Sequence, residues 1–490
     1  MNIKSVFSSA IQLTFASMSI RLLGLISFPL LTRLLPPESY GVASLASTFI
    51  SIFMILGMAG QDASYVKCFH DQNNYRQDDV DQFYAGYAWI AGGAAALLSG
   101  GAWWIFTAWQ DIESSPIVTA LIMFAVMGGV VSTFLQARAR LLGVYRRLTF
   151  SLIFSAVIAT CTTILTAFYF RNDEIALLVG NVSYWIILLT LPAISFSRMA
   201  SPFASMKKDK IVSMMSIGFP LLATAPGYWV ISSSDRWFLA SYASKYELGI
   251  YSVGVTIGSL GQIATSALCS VWYPELSKQM QQKNGEEINY AHLENVQTLI
   301  IWVLASTCFV ISFFGSDLVA TLTNKKFSEA ARYVPLIALG LLFYGVNQFQ
   351  GFGFTMLKKN HILPMIWSLG MALSVIANFF LVPAFGGYGA AISQCISYAV
   401  VAYATWFVSR AYMPFQPRWA RLAVCFFAYL IAVYLSYVFI STFTPLYTFI
   451  VKGVSCVVLL LLTFFWVADI NYLNSVALLK IRLKGGGDEK

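Results

Sequence analysis

Fourteen near-continuous apolar stretches of about 20 residues divide this chain, and they constrain the fold more than any other feature. Their approximate limits are 11–34, 42–66, 83–107, 117–137, 148–170, 175–196, 212–234, 248–272, 296–315, 333–357, 362–383, 388–409, 419–440 and 446–468. Each is long enough to cross the roughly 30 Å hydrocarbon core as a helix. A transmembrane β-barrel is excluded because the stretches are continuous rather than alternating. Of the 490 residues, 58% are hydrophobic and 11% charged, less than half the roughly 25% charge of a soluble domain. A soluble enzyme and a disordered chain are both ruled out. The sequence predicts an all-α polytopic membrane protein of about 14 transmembrane helices.

Lys4 before an apolar stretch has the look of a signal peptide. Arg21 interrupts that stretch, however, and it runs on to Leu35 without a small-residue cleavage site. It is read as the first span. Lys and Arg orient the spans. With the N-terminus cytoplasmic, the inner segments hold 22 basic residues and the outer segments 8, with Arg21 left inside a span. Both termini are therefore placed in the cytoplasm. The net charge of +9 comes from these short loops, so no nucleic-acid partner is implied. The longest loop, about residues 273–295, is too short to fold as a domain.

Composition also bounds the chemistry. The three His are far apart, and neither a His-x-x-x-His pair nor a Cys-x-x-Cys pair occurs. No metal site and no cofactor are expected. The phosphate-binding P-loop pattern is absent. Asp79-Val80-Asp81 matches the Asp-x-Asp of many glycosyltransferases, but it falls in a polar loop, about residues 67–82, and reads as solvated. No catalytic residue is assigned.

The chain repeats itself. Phe28-Pro29-Leu30-Leu31 in span 1 matches Phe219-Pro220-Leu221-Leu222 in span 7, and Tyr40-Gly41-Val42-Ala43-Ser44 is echoed by Leu248-Gly249-Ile250-Tyr251-Ser252. The basic run Arg138–Arg147 after span 4 corresponds to Leu357–His361 after span 10. An offset of six spans preserves direction. The expected domains are a six-helix bundle at 1–210, a second in parallel repeat at 211–410, two additional C-terminal helices at 411–470, and a cytoplasmic tail at 471–490. Paired bundles with a site at their interface are a transporter plan.

Three blocks carry a family resemblance. They are Pro29–Gly41 (PLLTRLLPPESYG), Asp235–Ser252 (DRWFLASYASKYELGIYS) and Asn378–Ile392 (NFFLVPAFGGYGAAI). Together they resemble the polysaccharide flippases of the oligosaccharidyl-lipid/polysaccharide exporter superfamily, over about residues 10–410. The resemblance implies a fold shared with multidrug exporters and the lipid II flippase. It also implies a bacterial inner-membrane protein that flips undecaprenyl-diphosphate-linked oligosaccharide for O-antigen, capsule or exopolysaccharide synthesis. A polysaccharide polymerase and a chain-length regulator are the partners implied beyond membrane lipid. The coupling ion, H+ or Na+, stays open.

Polar residues inside the spans are the candidate binding groups. A charge at the bilayer centre costs at least about 2.5–3.5 kcal/mol, so Arg21 calls for a reason. Thr14, Ser17, Arg21 and Gly24 fall at helical spacing on one polar stripe. Guanidinium pairs bidentately with phosphate oxygens, which suits a diphosphate. The alternative is structural pairing with a carboxylate. Asp62 is either a cavity or proton-carrying group or an interfacial cap. Asp235, Arg236 and Arg33 end spans as gating and binding candidates or as salt-bridged helix ends. Gln262, with Ser259 and Ser266, and Asn347, with Gln348 and Gln350, offer hydrogen bonds to sugar or glue between helices, as do Ser374 and Asn378. Pro29, Pro220 and Pro226 are expected to kink spans 1 and 7, with Pro29 and Pro220 as gating positions. The rival functions are a membrane polymerase or ligase, which lacks its customary large outer loop here, and a multidrug/cation antiporter of the same fold.

Overall fold

The computed structural model describes residues 3–112, 114–170, 174–190, 208–222, 225–280, 289–357, 359, 361–413, 415–439 and 445–468. Nineteen α-helices and one 3-10 helix occur among these residues, with no strand. In order they are α1 (Ile3–Leu34), α2 (Pro37–Met58), α3 (Gln61–His70), α4 (Gln77–Trp109), α5 (Pro116–Leu141), α6 (Tyr145–Tyr169), α7 (Ile175–Thr190), α8 (Lys208–Leu222), α9 (Ala225–Ser233), α10 (Asp235–Tyr242), α11 (Lys245–Gly258), α12 (Gly261–Met280), α13 (Tyr290–Phe313), α14 (Gly315–Leu322), the 3-10 helix (Lys325–Arg332), α15 (Val334–Met356), α16 (Ile362–Phe385), α17 (Gly387–Ser409), α18 (Trp419–Phe439) and α19 (Pro445–Val467). The protein is an all-helical polytopic membrane protein. Eleven helical segments among the described residues are long and apolar enough to cross a membrane, and a twelfth is added if the 3-10 helix and α15 count as one bent span. The described part of the sixth expected span is α7, and that of the seventh is α8 and α9, with residues 191–207 and 223–224 outside the described residues. The tail 471–490 lies outside the described residues.

Local chemistry accounts for the interruptions. Span 2 breaks between α2 and α3, where Ala59 and Gly60 take φ of 46° and 70°. This left-handed region suits Gly and strains Ala. α1 runs unbroken through Pro29, so the expected kink of span 1 does not break that helix. Pro220 likewise lies within α8, where its missing N–H removes one helix bond; residues 223–224, which follow α8, lie outside the described residues.

Two compact units emerge. The first comprises 1–253, 320–329 and 371–393; the second comprises 254–319, 330–370 and 394–490. The core of the first gathers Ala16 of α1, Tyr65, Val80, Tyr84, Phe134, Leu148 and Met214, drawn from helices up to α8. In the second unit, Phe309 and Phe313 of α13 pack with Cys425 and Tyr429 of α18 and with Cys456 of α19. Ser306, Tyr429 and Thr463 link the three helices through hydroxyls 2.8 Å apart. The buried Lys452 ammonium of α19 donates to Asp317 at 2.7 Å. The two C-terminal helices are therefore fastened to α13 and α14 by both apolar and charged contacts.

Candidate functional site

A seam of small and hydrogen-bonding residues runs through the first unit, joining span 2 to span 7 and its successors. At one end Ser64 of α3 donates to the Met214 carbonyl at 2.7 Å, and the Gln61 amide donates to the Met215 carbonyl at 3.0 Å. Gly218 of α8 lies so close that a Cβ there would meet the Gln61 side chain and the Gly60 carbonyl. Farther along, the indole N–H of Trp229 donates to Ser51 Oγ at 2.8 Å, and that of Trp237 to Thr48 Oγ1 at 2.7 Å. Phe49 stacks on Trp237 at 4.3 Å, with Trp103 edge-on to Phe49 at 5.1 Å. Gly, Ser and Thr let helices approach closely in an apolar medium, where each polar atom must find its partner within the protein.

At its other end the seam becomes backbone against backbone. A Cβ on Gly41 of α2 would lie 2.7 Å from the Gly249 nitrogen, and one on Gly249 of α11 would lie 1.8 Å from the Pro37 carbonyl oxygen. Beside them Glu247 accepts the Gly387 N–H at 2.8 Å, at the start of α17. Gly386, at φ 54°, leaves room for that carboxylate. Thr32 donates to the Leu322 carbonyl at 3.2 Å, and Tyr40 meets Phe327 edge-on at 6.0 Å. The three blocks 29–41, 235–252 and 378–392 thus meet at one junction, although some 340 residues separate the first from the third.

Asp235 sits just below this junction. It is 1% exposed and accepts hydrogen bonds from Tyr251 Oη at 2.5 Å and from the Arg236 N–H at 2.8 Å. Burial penalises an ionised carboxylate, and these donors offset part of that cost. Arg236 is half-buried, and its Nε finds no acceptor among the described residues.

The other candidates are more scattered. Arg21 is exposed on α1 yet keeps an interaction within the chain. Ser17 and Gly24 are exposed with it, a Cβ on Gly24 would meet nothing within 4 Å, and Ala16 is fully buried. The side chains of Thr14 and Pro220 lie outside the described residues, whereas Pro29 is half-buried and Arg33 exposed. Asp62 is half-buried at the α2–α3 break, within electrostatic reach of Tyr87 and Arg140. In the second unit Gln262 is half-buried at the start of α12. Asn347 is 1% exposed and donates to Thr405 at 2.6 Å, which binds α15 to α17. Sequence reasoning passed over Glu247, Trp229 and Trp237. Glu247 had no periodic signal, and an aromatic in a span looks like core.

The Asp-x-Asp motif is corrected. Asp81 is not in a solvated loop but in the second turn of α4, where Arg138 Nε donates to it at 2.9 Å and Tyr65 Oη at 2.5 Å. The expected loop ends early because Gln77 already opens the helix, with Asp78 and Asp79 in its first turn, where acidic residues favour the helix dipole. Asp81→Ala removes the carboxylate acceptor of Arg138 Nε, on a side chain only 19% exposed. The expected cost is about 1–3 kcal/mol, read as a fall of several degrees in the detergent melting midpoint. Added Mn2+ leaves the wild-type midpoint unmoved if Asp81 is structural. No group of three His, Cys, Asp or Glu placed to hold a metal occurs among the described residues.

A family model described as polysaccharide biosynthesis protein matches residues 6–280. Protein 1 of the Lsg locus of Haemophilus influenzae is 22% identical over 335 residues, covering 64% of this chain and 78% of that protein. Agl15 of Haloferax volcanii, named a probable low-salt glycan biosynthesis flippase, is 20% identical over 228 residues, covering 45% of this chain and 48% of Agl15. A structure of the lipid II flippase MurJ in an inward closed conformation superposes with a TM-score of 0.70 at 14% identity, covering 95% of this chain and all of that one. The last match shows a shared fold.

Proposed function

The chain belongs to the polysaccharide biosynthesis protein family, and from that premise we propose that it flips undecaprenyl-diphosphate-linked oligosaccharide repeat units across the bacterial inner membrane. The diphosphate and glycan cross by alternating access, while the prenyl tail stays in lipid. The observation that carries this reading is the junction at Gly41, Gly249 and Gly387. Three separated blocks converge on a contact made of glycine backbone, a closure that can part without leaving a bulky side chain unpacked. With both termini cytoplasmic, the junction is the outer barrier.

Arg21 has the role of the cation that draws the diphosphate inward, and the exposed stripe it shares with Ser17 and Gly24 supports this. Arg33 and Arg236 extend the cationic path towards the outer barrier, with Asp62, Gln262 and Asn347 as further polar contacts to the headgroup. Asp235 and Pro220 act as gating elements, with Pro29 the matching position of span 1. If transport is coupled to H+ or Na+, Asp62 is the carboxylate that carries the coupling ion. The product passes to a polysaccharide polymerase and a chain-length regulator for O-antigen, capsule or exopolysaccharide assembly.

Depletion in the producing cell tests the reading. Lipid-linked repeat units are expected to accumulate beyond the reach of a membrane-impermeant lectin applied to spheroplasts. Undiminished lectin labelling after depletion would overturn it.

A further inference from the structure

The second unit carries a partly open apolar cavity of about 400 Å³, within the range of small-ligand sites. It lies among α13, α15, α17 and α18, walled by Trp302, Leu342, Val346, Tyr403, Trp406 and Trp419 among others. No charged, amide or aliphatic hydroxyl side chain lines it. A glycan there would forfeit its hydrogen bonds, whereas a hydrocarbon chain would lose nothing.

One end is different. Trp406 and Trp419 meet edge-on at 6.1 Å, and the indole N–H of each finds no acceptor among the described residues. Basic side chains crowd this same end. The exposed Arg410 lies over the Trp406 ring at 5.1 Å, and Lys359 lies over Tyr412 at 3.5 Å. Arg418 and Arg421 flank the start of α18. Arg421 Nη1 donates to the Val467 carbonyl at 3.5 Å. Tryptophan and arginine at the end of an apolar slot match the interfacial depth of a bilayer, and basic pockets between spans bind anionic headgroups there.

We propose that this cavity holds one acyl chain of an anionic phospholipid. Its negative headgroup rests among Arg410, Arg421 and Lys359, at the end of the cavity where Trp406 and Trp419 meet. The lipid fills the space between α17 and α18 and acts as a packing element that helps seat the two C-terminal helices. The site does not depend on what the protein transports.

Native mass spectrometry of the full chain in detergent tests this. Delipidated protein is offered phosphatidylglycerol, phosphatidylcholine with the same acyl chains, or undecaprenyl phosphate. One phosphatidylglycerol is expected to be retained in preference to phosphatidylcholine. Arg410→Gln with Arg421→Gln should weaken it about thirtyfold. Ala402→Phe, which places a ring inside the cavity, should abolish retention. If that variant fails to fold, the surface arginine pair still decides. Equal retention of the two phospholipids, binding unchanged by the arginine pair, or one-for-one displacement of phosphatidylglycerol by undecaprenyl phosphate would each overturn the proposal.

Discussion

Gly249→Leu is expected to abolish glycan export while the protein still inserts and folds. A Cβ at residue 249 would lie 1.8 Å from the Pro37 carbonyl oxygen and 2.5 Å from its carbon. Both are backbone atoms, so no rotamer change can relieve the clash. The start of α2 must retreat from α11, and Gly41 loses its close approach from the other side. Overpacking of this kind costs about 1–3 kcal/mol, which shifts a closed-to-open ratio by about five- to 150-fold. Leucine adds bulk beyond the Cβ and falls at the upper end. Nitroxides placed across the junction should report a longer mean distance, and export should fall to background. Gly249→Ala should show the same effect in weaker form. Gly101→Ala is the control, because a Cβ there meets nothing within 4 Å and export should be unchanged. Wild-type export by Gly249→Leu would contradict the barrier role.

Arg21→Ala is expected to lower transport by at least about 100-fold. A bidentate guanidinium–phosphate contact makes two charge-assisted hydrogen bonds, each worth about 1.5–3 kcal/mol net, and losing both exceeds a factor of 100. Arg21→Lys keeps the charge but loses the fork, so an intermediate loss of about tenfold is expected. Impaired insertion cannot explain such a loss, because removing a charge from an apolar span makes that span cheaper to insert. The measurement is transport rate at matched protein level in the membrane. Unchanged transport by Arg21→Ala would assign the residue to helix packing.

The helices were largely legible because length and hydropathy decide which segments must satisfy their backbone internally. Their interruptions were less so. Ala59-Gly60 lies in an apolar stretch that reads as one span, yet positive φ at both residues breaks it. Asp81 was misplaced because its partner, Arg138, lies 57 residues away, where local polarity carries no signal. The glycines at 41 and 249 stood out as repeat positions. That they touch each other, and that Glu247 caps the Gly387 N–H beside them, depends on tertiary packing. Asn347 shows the same limit: its amide was visible, but its Thr405 partner was not.

Flipping itself is measured most directly in proteoliposomes that carry purified protein and a fluorescent undecaprenyl-diphosphate oligosaccharide, with a leaflet-specific quencher outside. The expected result is exchange between leaflets well above that of protein-free vesicles, lost with Arg21→Ala and with Gly249→Leu. Exchange no faster than in protein-free vesicles, across the ion gradients tried, would contradict the assignment of this chain as a lipid-linked glycan flippase.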